Sequence, residues 1–210
     1  MPLPYDADAA ITLLRQDPPL GRLIEQVGDF QPDWDVRVET MMSPFHALMR
    51  SIIYQQLSGK AASTIYGRVL ALFPSDDMPD PEEMLAVPED TLRGAGMSRA
   101  KVAAVKDLAA KTLEGVVPPR SHLNGMTDEE VIARLTAVRG IGRWTVEMLL
   151  IFYLLRPDVL PVTDLGVRKG FRMTYDLEAL PQASELAAYG TRWQPYRSVA
   201  SWYLWRANDL

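Results

Sequence analysis

Residues 127–170 constrain the fold more than any other stretch, because two helical patterns there flank a turn marked by glycines. Thr127 stands three residues before Glu130, which is the spacing of an N-terminal capping box. Apolar residues then recur at helical spacing as far as Val138. The sequence therefore predicts a helix that begins just after Thr127.

The turn that follows contains Gly140 and Gly142. Glycine is costly inside a helix but readily adopts the positive φ of a tight turn, so the first helix should end here. A second apolar pattern starts near Thr145 and must end before Pro157. These features predict a helix, a hairpin at residues 138–142 and a second helix.

A Gly-x-Gly turn at the start of a helix exposes backbone N–H groups beside the positive end of the helix dipole. This arrangement suits an anion such as a phosphodiester. An ordinary helical turn explains the two glycines equally well. The glycines alone leave both interpretations open.

The charge distribution matters more than the net charge of −5, which is unusual for a nucleic-acid-binding protein. Residues 41–73 carry three basic side chains and no acidic one, whereas residues 74–90 carry seven acidic side chains and no basic one. Segregation of this kind provides a local positive surface on an acidic protein.

Composition excludes several classes of protein. The chain has no cysteine, which rules out disulfides and cysteine-ligated metal clusters and suits a cytoplasmic protein. Its two histidines, His46 and His122, match no metal-ligand spacing, so we expect no catalytic metal. No apolar run approaches the length of a membrane span.

The remaining chain reads as further helices. We expect one or two helices over residues 5–30, broken at Pro18-Pro19. A helix starting at Ser43-Pro44 should bury Phe45, Leu48, Met49, Ile52 and Ile53. Another should start at Ser58, with four residues facing inward, namely Ala61, Ala62, Ile65 and Val69. Residues 74–90 read as a solvated connection, and residues 194–206 as a final helix.

Ser98 should cap a helix that ends near Leu113. Three basic residues on this helix, Arg99, Lys101 and Lys106, either contact phosphates or form a solvated face.

Five blocks of the sequence resemble the helix-hairpin-helix DNA glycosylases, most closely the alkylation-repair branch that includes DNA-3-methyladenine glycosylase II. The blocks are PFHALMRSIIYQQLSGKAASTIYGRV (44–69), LRGAGMSRAKVAAVKDLAAKTLEG (92–115), LTAVRGIGRWTVEMLL (135–150), PVTDLGVRKG (161–170) and RWQPYRSVASWYLW (192–205). The resemblance covers roughly residues 43–205.

The resemblance implies an all-α fold of two helical lobes, with the active site in the cleft between them. Residues 44–155 would form the lobe with the hairpin, and residues 1–43 plus 165–210 the other lobe. Residues 156–164 would connect them and carry the catalytic acid. Relatives often have an additional N-terminal β-domain, and we expect it to be absent here.

The implied reaction is hydrolysis of the N-glycosidic bond of an alkylated base, such as 3-methyladenine or 7-methylguanine. An alkylated cationic base leaves without a general acid, so one carboxylate near the sugar is sufficient. Asp164 matches the catalytic position, where it would stabilise the cationic sugar or activate water. Helix capping is the ordinary interpretation of an aspartate in this context, and Thr163 could serve as the cap instead.

Other family positions imply further roles. Lyase relatives have a Schiff-base lysine where this chain has Trp144, so we expect a monofunctional enzyme without lyase activity. Trp144, Trp205 and Met148 would form the base pocket, whereas Trp202 would belong to the core. Gln56 matches the wedge that fills the gap left by the flipped nucleotide.

The hairpin would bind the DNA phosphate backbone, through Gly140, Gly142, Arg143 and Thr145. By resemblance, the backbone carbonyls of Thr136, Val138 and Ile141 would hold a structural Na⁺ or K⁺ when DNA is bound, and no other cofactor is expected. The expected partner is double-stranded DNA with alkylated bases. We expect a monomer without an obligate protein partner, located in the cytoplasm with the nucleoid.

Two alternative functions stay open. The first is a non-catalytic helix-hairpin-helix DNA-binding module, since the hairpin also occurs without chemistry. The second is a glycosylase for a deaminated or mismatched base, which would need a proton donor that the matched blocks do not supply. Asp164, Trp144 and Trp205 favour the alkylpurine enzyme, because a simple binding module requires none of them.

Overall fold

The structure is a computed structural model of the chain, and it describes residues 3–32, 43–73 and 78–210. Every regular element in these three ranges is a helix, which confirms the predicted all-α class. No helix among the described residues has the length and apolar character needed to cross a bilayer.

Packing divides the chain into two units. One comprises Val38–Leu149, and the other comprises Met1–Arg37 together with Leu150–Leu210. The division falls inside the helix Arg143–Phe152, several residues before the predicted lobe boundary at residue 155.

The described helices of the first unit run in this order: α3 (Pro44–Tyr54), α4 (Gly59–Leu70), α5 (Pro81–Ala86), α6 (Glu89–Gly94), α7 (Arg99–Leu113), α8 (Arg120–Asn124), α9 (Asp128–Leu135) and the start of α10 (Arg143–Phe152). Helix α7 packs against α3 and α5. The core residues of α3 are buried as predicted, and they are Phe45, Leu48, Met49, Ile52 and Ile53. Burial of this apolar face fixes α3 more firmly than helix propensity alone would.

Local capping signals account for several helix starts. The Ser43 hydroxyl accepts the N–H of His46, and Pro44 occupies the first helical position of α3. Thr127 and Glu130 form the predicted capping box of α9, and Ser98 caps α7. These predictions are therefore confirmed.

Two expectations in this unit are wrong. The acidic stretch after residue 77 is helical, because Asp80 and Glu83 form a capping box for α5 and the side chain of Met84 is buried. Residues 74–77 lie outside the described part of the chain. Ala61 is exposed rather than inward-facing, whereas Ala62 and Val69 on the same helix are buried as predicted.

The second unit contains α1 (Ala7–Leu14), α2 (Pro18–Val27), the end of α10, α11 (Leu165–Thr174), α12 (Ala183–Tyr189), α13 (Arg197–Arg206) and two short 3₁₀ turns at Gly190–Trp193 and Ala207–Asp209. Helix α13 packs against α11, α2 and α1. The predicted break at Pro18-Pro19 is the start of α2, where proline is tolerated because the first N–H groups have no helical partner. Trp202 is buried in this core, as predicted.

A buried carboxylate connects the two ends of the chain within this unit. Asp17 is 7% exposed and accepts hydrogen bonds from the hydroxyl of Tyr175 at 2.7 Å, the hydroxyl of Tyr189 at 3.4 Å and the indole N–H of Trp193 at 3.0 Å. Burial, together with the hydrogen bond to Asp17, raises the pKa of Tyr175. These donors satisfy a charged group that would otherwise be costly to bury.

Candidate active site

Asp164 is fixed by its position at the start of α11. Its N–H donates to the carbonyl of Pro161 at 2.9 Å, which closes the preceding turn. Its Oδ1 accepts the N–H of Val167 at 2.8 Å, so Asp164 is the N-cap of the helix. Of the two capping residues that the sequence leaves open, Asp164 takes this role and Thr163 is exposed.

The indole of Trp205 contacts the same carboxylate. Its Nε1–H donates to Asp164 Oδ1 at 2.9 Å, and its ring stacks on Phe152 with the centroids 5.5 Å apart and the planes 26° from parallel. Both Asp164 and Trp205 are half-buried. The acid and the ring predicted to stack on the base are therefore in direct contact.

Gly166, for which no role was predicted, makes this contact possible. A methyl group added at Gly166 would lie 2.8 Å from Cδ1 of Trp205 and 3.1 Å from Oδ1 of Asp164. One turn later, a methyl group at Gly170 would lie 1.8 Å from the carbonyl oxygen of Leu204. The two glycines are four residues apart, a spacing that places them on one helix face and could have revealed a close helix–helix contact.

Asn208 also supports the site and was not predicted. The side-chain amide of Asn208 donates to the carbonyls of Gly166, Leu204 and Trp205 at 3.0–3.1 Å, which ties the end of α13 to the start of α11.

The chain that leads to Asp164 is held separately. Arg197 donates to both carboxylate oxygens of Asp158 at 2.7 and 2.9 Å, and the hydroxyl of Ser198 donates to the Arg156 carbonyl at 2.6 Å. These bonds order residues 156–159 before the turn that presents the acid.

The hairpin forms as predicted between α9 and α10. The N–H of Ile141 donates to the carbonyl of Val138 at 3.1 Å, and Gly140 has a φ of 77°, which L side chains rarely adopt. Gln55 donates from Nε2 to the Gly140 carbonyl at 3.0 Å. Gly142 is exposed at the start of α10, where the first N–H groups of a helix have no helical acceptor.

The other predicted base-pocket residues lie on α10. Trp144 is 45% exposed, and Met148 is half-buried. Residues four apart share a helix face, so the two side chains are neighbours on the helix surface. An exposed tryptophan is unusual for a residue with only a packing role.

Gln56 lies in the turn between α3 and α4. Its side chain is exposed, and its φ of 57° is in the left-handed region. Glutamine rarely adopts this conformation, so the surrounding structure must hold it there.

Residues 49–195, which include both the hairpin and Asp164, match the family described as "HhH-GPD superfamily base excision DNA repair protein". The chain belongs to this superfamily. The match confirms the resemblance to helix-hairpin-helix DNA glycosylases.

Individual members of the HhH-GPD superfamily match most of the chain. DNA-3-methyladenine glycosylase 1 of Schizosaccharomyces pombe is 36% identical over 189 residues, or 90% of this chain and 82% of that protein. The structure of the S. pombe 3-methyladenine DNA glycosylase in complex with abasic DNA gives a TM-score of 0.85 at 35% identity, over 96% of this chain and 97% of that one. DNA-3-methyladenine glycosidase from Bacillus halodurans gives 0.83 at 36% identity, over 96% and 89%.

Of the residues predicted to bind phosphate, two in the first turn of α10 are either bonded elsewhere or buried. Arg143 donates to the Glu129 carboxylate at 2.5 and 3.0 Å and to Glu147 at 3.0 Å, and its hydrogen bonds to Glu129 raise the pKa of Arg143. The side chain of Thr145 is buried. A phosphate contact from the Arg143 side chain would have to displace a carboxylate, and it stays a prediction.

The carbonyls proposed for a monovalent cation belong to the same hairpin. The Val138 carbonyl already accepts the Ile141 N–H, and it retains a second lone pair for a cation. The hydroxyl of Thr136 donates back to the Ile132 carbonyl at 2.7 Å, so it does not compete for the site. Carbonyl oxygens are suitable ligands for a hard cation such as Na⁺ or K⁺.

Two lysines considered as phosphate contacts bind backbone carbonyls of the protein instead. Lys101 Nζ donates to the carbonyls of Ile53 and Gln55 at 2.7 and 2.8 Å. Lys106 Nζ donates to three carbonyls at the end of α5, those of Met84, Leu85 and Val87. Each ammonium group therefore satisfies carbonyls at the end of a helix and stabilises the partial negative charge there.

Proposed function

We propose that this protein is a monofunctional DNA glycosylase of base excision repair, which hydrolyses the N-glycosidic bond of alkylated bases and leaves an abasic site. The observation that carries the proposal is the Asp164 carboxylate, whose Oδ1 is held by the Val167 N–H and the Trp205 indole. The relatives named above include 3-methyladenine glycosylases, which supports 3-methyladenine as a substrate. We propose 7-methylguanine as well, because it is also a base made cationic by alkylation of a ring nitrogen.

Asp164 would act on the sugar side of the bond. As the bond to the base breaks, positive charge develops on the sugar, and a fixed carboxylate nearby stabilises it. Water then adds to the sugar carbon and loses its proton, either to Asp164 or to bulk solvent. The two hydrogen bonds to Oδ1 keep the carboxylate in one orientation, so no reorganisation is required during the reaction.

On the base side of the bond, the enzyme has to attract the cationic base and does not need a general acid to protonate it. A base alkylated on a ring nitrogen carries positive charge, which the faces of aromatic rings attract. We propose that Trp144, Trp205 and Met148 form this pocket. Phe152 stacks on one face of the Trp205 ring, so a base would stack on the opposite face.

Water is the proposed nucleophile because position 144 is tryptophan. Tryptophan has no amine, so it cannot form the Schiff base that lyase relatives use. The product would therefore be an abasic site in an unbroken strand.

The proposed partner is double-stranded DNA in the cytoplasm beside the nucleoid, bound by a monomer. The hairpin would bind the phosphate backbone through Gly140, Gly142, Arg143 and Thr145, with Na⁺ or K⁺ on the nearby carbonyls. Gln56 would fill the gap left by the flipped nucleotide. A hairpin exposed at the start of α10 supports this mode of binding.

The decisive experiment is base release from duplexes that contain 3-methyladenine, 7-methylguanine or hypoxanthine, followed by alkali to cleave abasic sites. The variant Asp164→Asn keeps an equally good N-cap but loses the charge. Its single-turnover release rate should fall by on the order of 100-fold, with its affinity for DNA unchanged. Asp90→Asn, at a side chain that is 95% exposed, is the matched control and should retain full activity.

Several outcomes would contradict the proposal. Full activity of Asp164→Asn would show that this carboxylate is not catalytic. Binding to all duplexes without release of any base would favour a non-catalytic module. Strand breaks before alkali would contradict the absence of lyase activity.

A further inference from the structure

The turn that carries Gln56 is held from one side by a single ammonium group. Lys101, in the first turn of α7, donates to the carbonyl of Ile53 at 2.7 Å and to the carbonyl of Gln55 at 2.8 Å. The last carbonyls of a helix lack helical partners, so a cation here both satisfies them and complements the helix dipole.

The Gln55 carbonyl has a direct effect on Gln56. It belongs to the peptide group that joins the two glutamines, and the orientation of this peptide group sets φ of Gln56. That φ is 57°, which a residue with a side chain rarely adopts without support. Lys101 therefore holds the peptide group that determines where the Gln56 side chain points.

The same face of α7 also holds the hairpin. A methyl group at Gly140 would lie 3.1 Å from Cβ of Ala104, and Asp107 Oδ2 accepts the N–H of Arg139 at 2.7 Å. Lys101, Ala104 and Asp107 follow one another at intervals of three residues, which places them along one face of the helix.

A hydrogen bond also connects the Gln56 turn directly to the hairpin. Nε2 of Gln55 donates to the Gly140 carbonyl at 3.0 Å, so the Gln56 turn and the hairpin contact each other as well as α7. The position of the Gln56 turn is thus set relative to the hairpin proposed to hold the DNA backbone.

We propose that Lys101 is a positioning residue for base flipping: its ammonium group holds the Gln55–Gln56 peptide so that Gln56 enters the gap left by the extruded nucleotide. This inference rests on the proposed wedge role of Gln56. Lys101 takes no part in bond cleavage, and its loss impairs insertion while the hairpin still binds the DNA backbone.

The test is insertion into DNA measured by fluorescence. The probe is a duplex with 2-aminopurine next to a tetrahydrofuran abasic analogue, because an inserted side chain unstacks the fluorescent base. Lys101→Met retains most of the side-chain volume and removes the charge. At saturating protein, the fluorescence change should fall to the level of Gln56→Ala, and the single-turnover rate on a 3-methyladenine duplex should fall by about ten-fold, the effect of losing hydrogen bonds to a charged group.

The matched control is Lys106→Met. Lys106 lies on the same helix and also binds helix-end carbonyls, but those carbonyls belong to α5. This variant should retain the wild-type fluorescence change. Circular dichroism at the assay temperature checks that each variant is folded, and Lys101→Gln replaces Lys101→Met if the latter is not.

Three results would overturn the inference. A wild-type fluorescence change in Lys101→Met would show that the peptide needs no such support, and an equal loss in Lys106→Met would indicate general loosening of α7. A wild-type change in Gln56→Ala would refute the wedge role itself, and the inference with it. That last result would leave base release by Asp164 intact, so the two failures are distinguishable.

Discussion

Replacing Gly166 by alanine tests whether the contact between Trp205 and Asp164 orients the carboxylate. The new methyl group would lie 2.8 Å from Cδ1 of Trp205, whereas carbon atoms in contact are normally about 3.5–4.0 Å apart. The indole must therefore retreat by about 0.7–1.2 Å. Its hydrogen bond to Asp164 is 2.9 Å long, and a shift of this size would break it.

The expected change in the free energy of unfolding combines two opposing effects. Overpacking typically costs about 1–3 kcal/mol, while alanine in place of glycine favours a helix by about 1 kcal/mol. The difference of the two terms gives an expected fall in the free energy of unfolding of about 0–2 kcal/mol. Since a misplacement of about 1 Å can cost 100-fold in rate, base release should slow by about 10- to 100-fold.

Single-turnover release of 3-methyladenine and urea unfolding measure the two effects. Gly67→Ala, in the middle of α4, is the matched control because a methyl group there meets no atom within 4 Å. It should stabilise the protein by about 0.5–1 kcal/mol and leave the rate unchanged. If Gly166→Ala also keeps the wild-type rate, the close approach of Trp205 is irrelevant to catalysis and the reasoning is refuted.

Three further predictions follow from other contacts. Trp205→Phe keeps a ring but removes the N–H donor to Asp164, so base release should slow by about ten-fold while urea unfolding changes little; an unchanged rate would contradict this. Asp17→Ala leaves two half-buried phenols and a buried indole without their acceptor, and should lower the free energy of unfolding by about 3 kcal/mol in urea. Burial lowers the pKa of His46 although its hydrogen bond to the Pro79 carbonyl opposes the shift. A folded-state pKa below the unfolded value near 6.5 means that the unfolded state binds the proton better, so His46 contributes stability above that pH and loses it as the pH falls through the lowered value. Urea unfolding between about pH 7.5 and 5 should show this loss, and His46→Gln should reduce it.

Features encoded over a few residues could be predicted from the sequence. The caps at Ser43, Ser98 and Thr127 combine a hydroxyl with a helical pattern, and each forms as expected. The same kind of signal was present at Asp80 and Glu83 but was obscured by the acidic, proline-rich composition around them. The catalytic candidate Asp164 depended on the family resemblance, because capping alone explains an aspartate at a helix start.

Contacts between distant residues could not be predicted in this way. Nothing local distinguishes Lys101 from a solvated lysine, because its acceptors lie 46 and 48 residues earlier in the chain. Gly166 similarly appears as one glycine among thirteen until Trp205 is placed against it. In both cases, the packing of separate helices gives the residue its role. Local patterns in the sequence do not show which helices pack together.

The cluster around Asp17 has a consequence for synthesis on the ribosome. Asp17 and Trp193 are separated by 176 residues, and both belong to the unit that is made from the two ends of the chain. At about 5–20 residues per second, translation separates the appearance of these partners by roughly 10–35 s. The residues between them include the whole of the other unit, which can therefore fold while the N-terminal helices still await their C-terminal partners.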